Sequence, residues 1–184
     1  MVKILGIPGS LRKASYNKAL MRTAAELLPP NTTMEIFELD GIPPFNQDEE
    51  NSPPPRVVEL KRKIREADGI LFATPEYNYS IPGVLKNAID WASRPYADNA
   101  WYGKPAAIMS ASIGMIGGAR AQYHLRQVFV FLNMPSVMQP EVIVTFAPQK
   151  FDSELRLLDN DAKKFISQLL QNLVKLIETT KSSK

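Results

Sequence analysis

The sequence contains no cysteine and a single histidine, His124. The first absence excludes disulfides, thiol nucleophiles and thiolate metal sites, and the second leaves too few ligands for a zinc centre of ordinary type. Long apolar runs are also missing. No segment approaches the roughly 20 apolar residues of a membrane span, and Met1-Val2-Lys3 runs straight into a strand pattern without the layout of a signal peptide, so a cytoplasmic protein with no membrane partner is expected. Neither charge sign dominates: 22 Lys and Arg face 19 Asp and Glu, a net charge of +3. The densest basic run, Lys61-Arg62-Lys63-Ile64-Arg65, falls in a helical pattern whose buried face is Val57, Leu60, Ile64 and Ala67. It reads as a solvated helix face, and no nucleic-acid partner is expected. His124 has no serine or carboxylate at a spacing suited to a catalytic triad, which leaves it a structural or interface role. Whatever hard chemistry the chain performs falls to a bound cofactor.

What is present is the composition of a globular domain, 45% apolar and 22% charged over 184 residues, enough for one domain spanning 1–184 and short for two. Val2 to Ile7 is a short apolar run that reads as a buried strand, and Ala19, Leu20, Thr23, Ala24 and Leu27 then recur at helical spacing until Pro29-Pro30. Residues 33–39 alternate as a second strand, and residues 40–55, rich in proline, asparagine and acid, form a long surface connection. A helix over 56–67 leads to the apolar run 69–73. A helix from about Pro82, a strand within 104–112 and a helix over 119–132 follow, then a split last strand at Val137-Met138 and Val142-Ile143-Val144. A stripe from Leu155 and Leu158 through Ala162, Phe165, Ile166, Leu169, Leu170, Leu173 and Leu176 to Ile177 predicts a long closing helix, frayed over 181–184. Alternating strands and helices without an internal repeat predict a three-layer α/β domain on a parallel sheet, with ligands beyond the carboxyl ends of the strands.

Three loops occupy such positions. In 9–17, Ser10, Arg12, Ser15 and Asn17 combine hydroxyls and a guanidinium at the start of a helix, which suits a single phosphate. The loop matches neither a Walker ending nor the GxGxxG fingerprint, and Ser15 could equally be no more than a helix cap. In 75–82, two prolines bracket Glu76, Tyr77, Asn78, Tyr79 and Ser80; tyrosine faces and amide groups suit a planar heteroaromatic ligand, or simply an ordinary connection. In 112–118, Ser112, Gly114, Gly117 and Gly118 let a backbone approach a flat ring closely, although glycines after a strand are also turn residues. Trp91 reads as packing or interface; Trp101 is left open as a possible site rim.

GSLRKASYN, PEYNYSIPGVLKNAIDW followed by SRP, and SIGMIGGARAQYHLR resemble the three signature segments of the NADPH-dependent FMN reductases, and among these the bacterial chromate and quinone reductases. The resemblance extends from Val2 to about Val144. It implies a flavodoxin-like fold, a five-stranded parallel sheet in the order 2-1-3-4-5 with helices on both faces and FMN at the switch point. By motif, Ser10, Arg12, Ser15 and Asn17 would hold the phosphate and ribityl end. Pro75, Glu76, Tyr77, Asn78 and Tyr79 would line the isoalloxazine, largely through their backbone, and Ser112 and Gly114 would close its other side. The implied activity passes a hydride from NADPH or NADH to the flavin and then electrons to a quinone, flavin, azo compound or chromate-like oxyanion. An electron carrier or redox sensor on the same fold is the alternative, which a basic chain disfavours because flavodoxins are usually acidic. Family members commonly form homodimers or homotetramers, and Arg120, Tyr123 and Glu141 are the polar residues expected at such an interface.

Overall fold

The computed structural model describes residues 1–182. Five parallel strands, β1 (Val2–Pro8), β2 (Thr32–Ile36), β3 (Gly69–Ala73), β4 (Ala106–Ala111) and β5 (Val142–Val144), form one sheet in the order β2-β1-β3-β4-β5, the expected 2-1-3-4-5. The three central strands are largely apolar, interrupted only by the exposed Lys3 of β1 and by Ser110 of β4, because helices cover both faces of the sheet, and every residue of β3 and β4 is buried. On one face α1 (Tyr16–Glu26) and α6 (Asn160–Ser182) pack Leu20, Met21, Ile166, Leu169, Leu170 and Leu173 against Ile4, Leu71 and Met109. The other face is covered by α2 (Pro55–Glu66), α3 (Gly83–Ala92) and α4 (Ala119–Leu132), whose Leu60, Ile64, Leu85, Ile89, Leu125 and Phe129 meet Leu5, Ile70, Phe72 and Ile108. Side chains alternate across a strand, so neighbouring residues of β1 and β3 feed opposite cores.

Several expectations are corrected. β2 ends at Ile36, although Phe37 still donates its N–H to the Gly6 carbonyl at 2.9 Å and Phe37 and Leu39 are buried. Of the split last strand only Val142–Val144 forms a ladder; Val137 is tied to β4 through its N–H and the Ala106 carbonyl at 2.9 Å, and the Gln139-Pro140 bond between the two pieces is cis. The closing helix begins at Asn160. Leu155, at φ +60°, and the exposed Leu158 lie before it, where Asp152 accepts the N–H groups of Glu154 and Arg156 at 3.0 and 2.8 Å and so competes with helix formation. A short helix, α5 (Ala147–Lys150), precedes that turn. Within α6 the buried stripe is Ile166, Leu169, Leu170, Leu173 and Ile177, while Phe165 is about half exposed. The helix continues through Lys181, whose ammonium pairs with Asp68 at 2.7 Å, and Ser182; Ser183 and Lys184 lie outside the described residues.

The basic run on α2 is not wholly solvated. Lys61 is buried, with its ammonium on the Arg94 carbonyl at 2.5 Å and on Asp98 at 2.6 Å. The hydrogen bond from Lys61 holds the Asp98 carboxyl below the usual carboxylate range, against partial burial, and Arg65 adds to the effect. Trp101 is core rather than site rim: it is buried against Phe72 and donates its indole N–H to the Ile89 carbonyl at 3.1 Å. Trp91 is buried too, its indole N–H on Pro43 at 2.8 Å; Asn87 also donates to Pro43 and accepts the N–H of Phe45, which pins the long 40–55 connection to α3.

Candidate functional site

The carboxyl ends of β1, β3 and β4 lie side by side, and the loop after each turns onto the same edge of the sheet. Leaving β1, Gly9 donates its N–H to the Ala73 carbonyl of β3 at 2.8 Å, and the buried Ser10 hydroxyl accepts the N–H of Arg12 at 3.3 Å. Ser15 caps α1, its hydroxyl oxygen accepting the N–H groups of Asn17 and Lys18 at 3.2 and 3.4 Å. The capping role is real and does not exhaust the residue, because a hydroxyl that accepts still has its own proton to donate. The first turn of α1 carries no acidic residue, and Arg12 makes no ion pair among the described residues, its guanidinium lying 5.4 Å from the centre of the Tyr16 ring. The helix dipole and a guanidinium with no ion pair among the described residues therefore converge where an anion is favoured.

Asn17 also has a role within the protein. Its side-chain amide is buried and makes both hydrogen bonds to the last residue of β4, donating to the Ala111 carbonyl and accepting the Ala111 N–H, each at 2.9 Å. It joins the first loop to the third.

After β3, Thr74 donates its N–H to Met109 at 3.0 Å and its hydroxyl to the Pro75 carbonyl at 2.9 Å. Residues 77–80 form a tight hairpin in which Tyr77 and Ser80 exchange both backbone hydrogen bonds at 3.0 Å, with Asn78 and Tyr79 at φ +49° and +69°. Glu76 is turned away from solvent: its carboxylate accepts the backbone N–H groups of Arg120 and Ala121 at 3.1 and 3.4 Å and pairs with the Arg120 guanidinium. It supplies the cap that Gly118, at the start of α4, has no side chain to provide. In the third loop the Ser112 hydroxyl accepts the N–H of Gly114 at 3.2 Å, and Phe146 donates to the Gly114 carbonyl at 3.2 Å.

Between the loops lies a cavity of about 310 Å³, within the range of small-molecule sites. It brings together Ser10, Arg12, Ser15, Asn17, Pro75, Glu76, Tyr77 and Ser112 of the expected residues. Asn78 and Tyr79, at the hairpin tip, and Gly114 do not line it. Tyr16, Ala111 and Ile113 do, and were not anticipated. Ile113 had a legible signal: it opens an apolar run beside a strand end, and Ile113 and Met115 are more than two-thirds exposed. Nothing in the sequence marks Ala111.

The cavity is lined by the polar groups of Ser10, Arg12 and Ser15 from the first loop, by Pro75, Glu76 and Tyr77 from the second and by Ser112 and Ile113 from the third. The profile of the family described as NADPH-dependent FMN reductase matches residues 2–149. The chain belongs to that family. It is 52% identical over 173 residues to an NAD(P)H-dependent FMN reductase of Pseudomonas aeruginosa, covering 94% of this chain and 93% of that protein. It is 40% identical to a 2-hydroxy-1,4-benzoquinone reductase of a Burkholderia species, covering 92% of each. The solved structure of FerB, a flavoenzyme NAD(P)H:(acceptor) oxidoreductase from Paracoccus denitrificans, superposes with a TM-score of 0.89 at 34% identity over 98% of this chain and 99% of that one. The residues present suit the family's cofactor on chemical grounds. Two buried serines, a guanidinium without an acidic partner among the described residues and a helix N-terminus without an acidic first turn form an appropriate donor set for a phosphate monoester.

The family's expected interface residues are also located. Tyr123 donates its hydroxyl to Glu141 at 3.3 Å within the chain, and both are solvent-accessible. Arg120 has its guanidinium engaged with Glu76 and stacked on Tyr79, its Cζ 3.6 Å from the ring centre. His124 is half of a side-chain pair with Ser80 at 2.9 Å.

Proposed function

We propose that this chain is an FMN-dependent NAD(P)H oxidoreductase that delivers electrons to small soluble acceptors of the quinone class. The observation that carries the reading is the cavity at the carboxyl edge of the sheet, which gathers Ser10, Arg12 and Ser15 just before α1 with Pro75, Glu76 and Tyr77 of the second loop and Ser112 and Ile113 of the third. The named activities of the Pseudomonas and Burkholderia relatives support it. When bound, FMN supplies the two-electron chemistry that links the nicotinamide to the acceptor. Arg12, with the hydroxyl protons of Ser10 and Ser15 and the positive end of the α1 dipole, holds the phosphate. Asn17 fixes the distance between that end and the third loop. The backbone of Pro75, Glu76 and Tyr77 forms one wall of the ring slot, and Ser112 and Ile113 form the other, where the apolar Ile113 side chain limits water. The absence of a catalytic thiol or triad is consistent with this division of labour, in which the protein binds, orients and excludes water. Free flavins, azo compounds and chromate-like oxyanions are the acceptors to compare with quinones.

The proposal extends to a single catalytic domain acting in the cytoplasm as a homodimer or homotetramer. Tyr123 and Glu141 are its polar interface residues, with the exposed Val130 and Phe131 of α4 as the adjoining apolar surface. No helix among the described residues is long and apolar enough to cross a membrane.

Binding is tested by titrating the apoprotein into FMN and following quenching of flavin fluorescence. Arg12→Ala removes a charge-assisted contact to the phosphate and is expected to raise the FMN Kd about 10- to 100-fold with little change in melting temperature, since Arg12 is exposed. Unchanged affinity would remove Arg12 from the phosphate site, and a wild-type protein that takes up no FMN would remove the site itself.

A further inference from the structure

The 77–80 hairpin contains no glycine, yet both of its central residues have positive φ, +49° at Asn78 and +69° at Tyr79. Two-residue hairpin turns of this kind favour Asn-Gly because glycine accepts the left-handed region without strain. Asn78 is tolerated there; a bulky aromatic such as Tyr79 is an outlier. A residue held in that region persists only where its surroundings over-determine it. Here the surroundings are one face of α4. The Arg120 guanidinium covers the Tyr79 ring at 3.6 Å and pairs with Glu76, which also accepts two backbone N–H groups from the first turn of the helix. One turn further on, His124 meets the Ser80 hydroxyl at 2.9 Å. Both flanks and the tip of the hairpin are thus tied to residues four apart on a single helix face.

Glu76 and Tyr77 line the cofactor cavity, whereas Arg120 does not. We propose that Arg120 is a positioning residue that clamps the 77–80 hairpin in its strained shape and thereby sets the wall of the flavin slot. The proposal rests on the FMN reading above for its consequence, though not for the clamp itself. The planar guanidinium performs two tasks that no other side chain combines, pairing with a carboxylate along its edge and stacking on a ring with its face. Acting through Glu76 and Tyr79, it affects cofactor affinity and orientation without touching the cofactor.

Two measurements on the full chain test this. In apoprotein, amide hydrogen exchange at Tyr77 and Ser80 reports the hairpin directly, and in Arg120→Ala it is expected to accelerate by about tenfold or more. FMN titration of the same variant is expected to show a Kd raised about tenfold, with altered visible circular dichroism of the bound flavin. Arg120→Lys, which keeps the charge and loses the fork and the stacking plane, is expected to fall between wild type and alanine, and serves where Arg120→Ala fails to fold. Tyr79→Gly removes the strain, so adding Arg120→Ala to it is expected to accelerate hairpin exchange less than in the wild-type background. Unchanged exchange and unchanged Kd in Arg120→Ala would overturn the proposal. So would a loss of FMN affinity that appears only together with dissociation of an oligomer in sedimentation, since Arg120 would then act between subunits. If wild-type protein bound no FMN, the flavin reading would fail, while the exchange experiment would still decide the clamp.

Discussion

Replacing Asn17 with alanine is expected to lower the melting temperature by about 5–15 °C and to weaken FMN binding at the same time. The side chain is 2% exposed and makes two hydrogen bonds of 2.9 Å to one residue, donating to the Ala111 carbonyl and accepting its N–H. Alanine leaves that N–H and carbonyl unpaired in a place water reaches poorly. Each buried unsatisfied group costs about 1–3 kcal/mol, so a loss of about 2–5 kcal/mol is expected. Asn17→Asp is no remedy, because a carboxylate accepts the Ala111 N–H but has no donor for the carbonyl and sets a negative charge beside the phosphate position. Thermal denaturation with and without FMN checks both effects. A variant with wild-type melting temperature and wild-type affinity would show that the amide bridge is dispensable.

The second large effect is expected at Gly117. Its φ is +64°, and a Cβ built there would lie 2.3 Å from Cγ2 of Ile143 and 3.1 Å from Cγ2 of Thr145. Gly117→Ala therefore combines left-handed backbone strain, about 1–2 kcal/mol, with an overlap that must push the third loop off β5, about 1–3 kcal/mol more. The loop that moves carries Ser112 and Ile113, so weaker cofactor binding is expected to accompany the loss of stability. Gly114 is the internal comparison. It lies in the same loop with φ outside the positive range and no atom within 4 Å of a built Cβ, and Gly114→Ala is expected to stay within about 0.5 kcal/mol of wild type. Urea denaturation of the two variants separates them; equal stabilities would mean that loop packing does not position this wall.

The fold was legible because it rests on patterns the physics makes strong. Apolar runs at 2–7, 69–73 and 106–109 are buried central strands, and helical stripes such as Val57, Leu60 and Ile64 or Leu85, Ala88 and Ile89 lie on the sheet as their periodicity requires. The failures are local competitions that periodicity does not register. Leu155 and Leu158 keep helical spacing, yet Asp152 captures two backbone N–H groups and turns the chain before Asn160. Lys61 sits among solvated cations by composition, yet its side chain is buried and reaches Asp98 and the Arg94 carbonyl, far along the chain.

At the site, residue types at strand ends indicated the cavity, whereas their division of labour was not legible. A serine before a helix gives the same signal whether it caps or binds, and Ser15 is placed to do both. Asn17 and Glu76 were marked as cavity residues and lie in the lining, but their side chains are committed to protein partners, Ala111 and Arg120, 94 and 44 residues away in sequence. Tyr79 was marked for its ring, which is covered by Arg120 outside the cavity lining. Such pairings depend on which strands become neighbours, and a single sequence carries no local trace of them.

The most direct test of the central claim is anaerobic stopped-flow mixing of the FMN-loaded protein with NADPH and, separately, NADH, followed by addition of a benzoquinone. The account predicts bleaching of the flavin visible band within the turnover time by at least one nicotinamide, and rapid return of the band on adding the quinone. Protein that holds FMN but is reduced by both nicotinamides no faster than free FMN would contradict it.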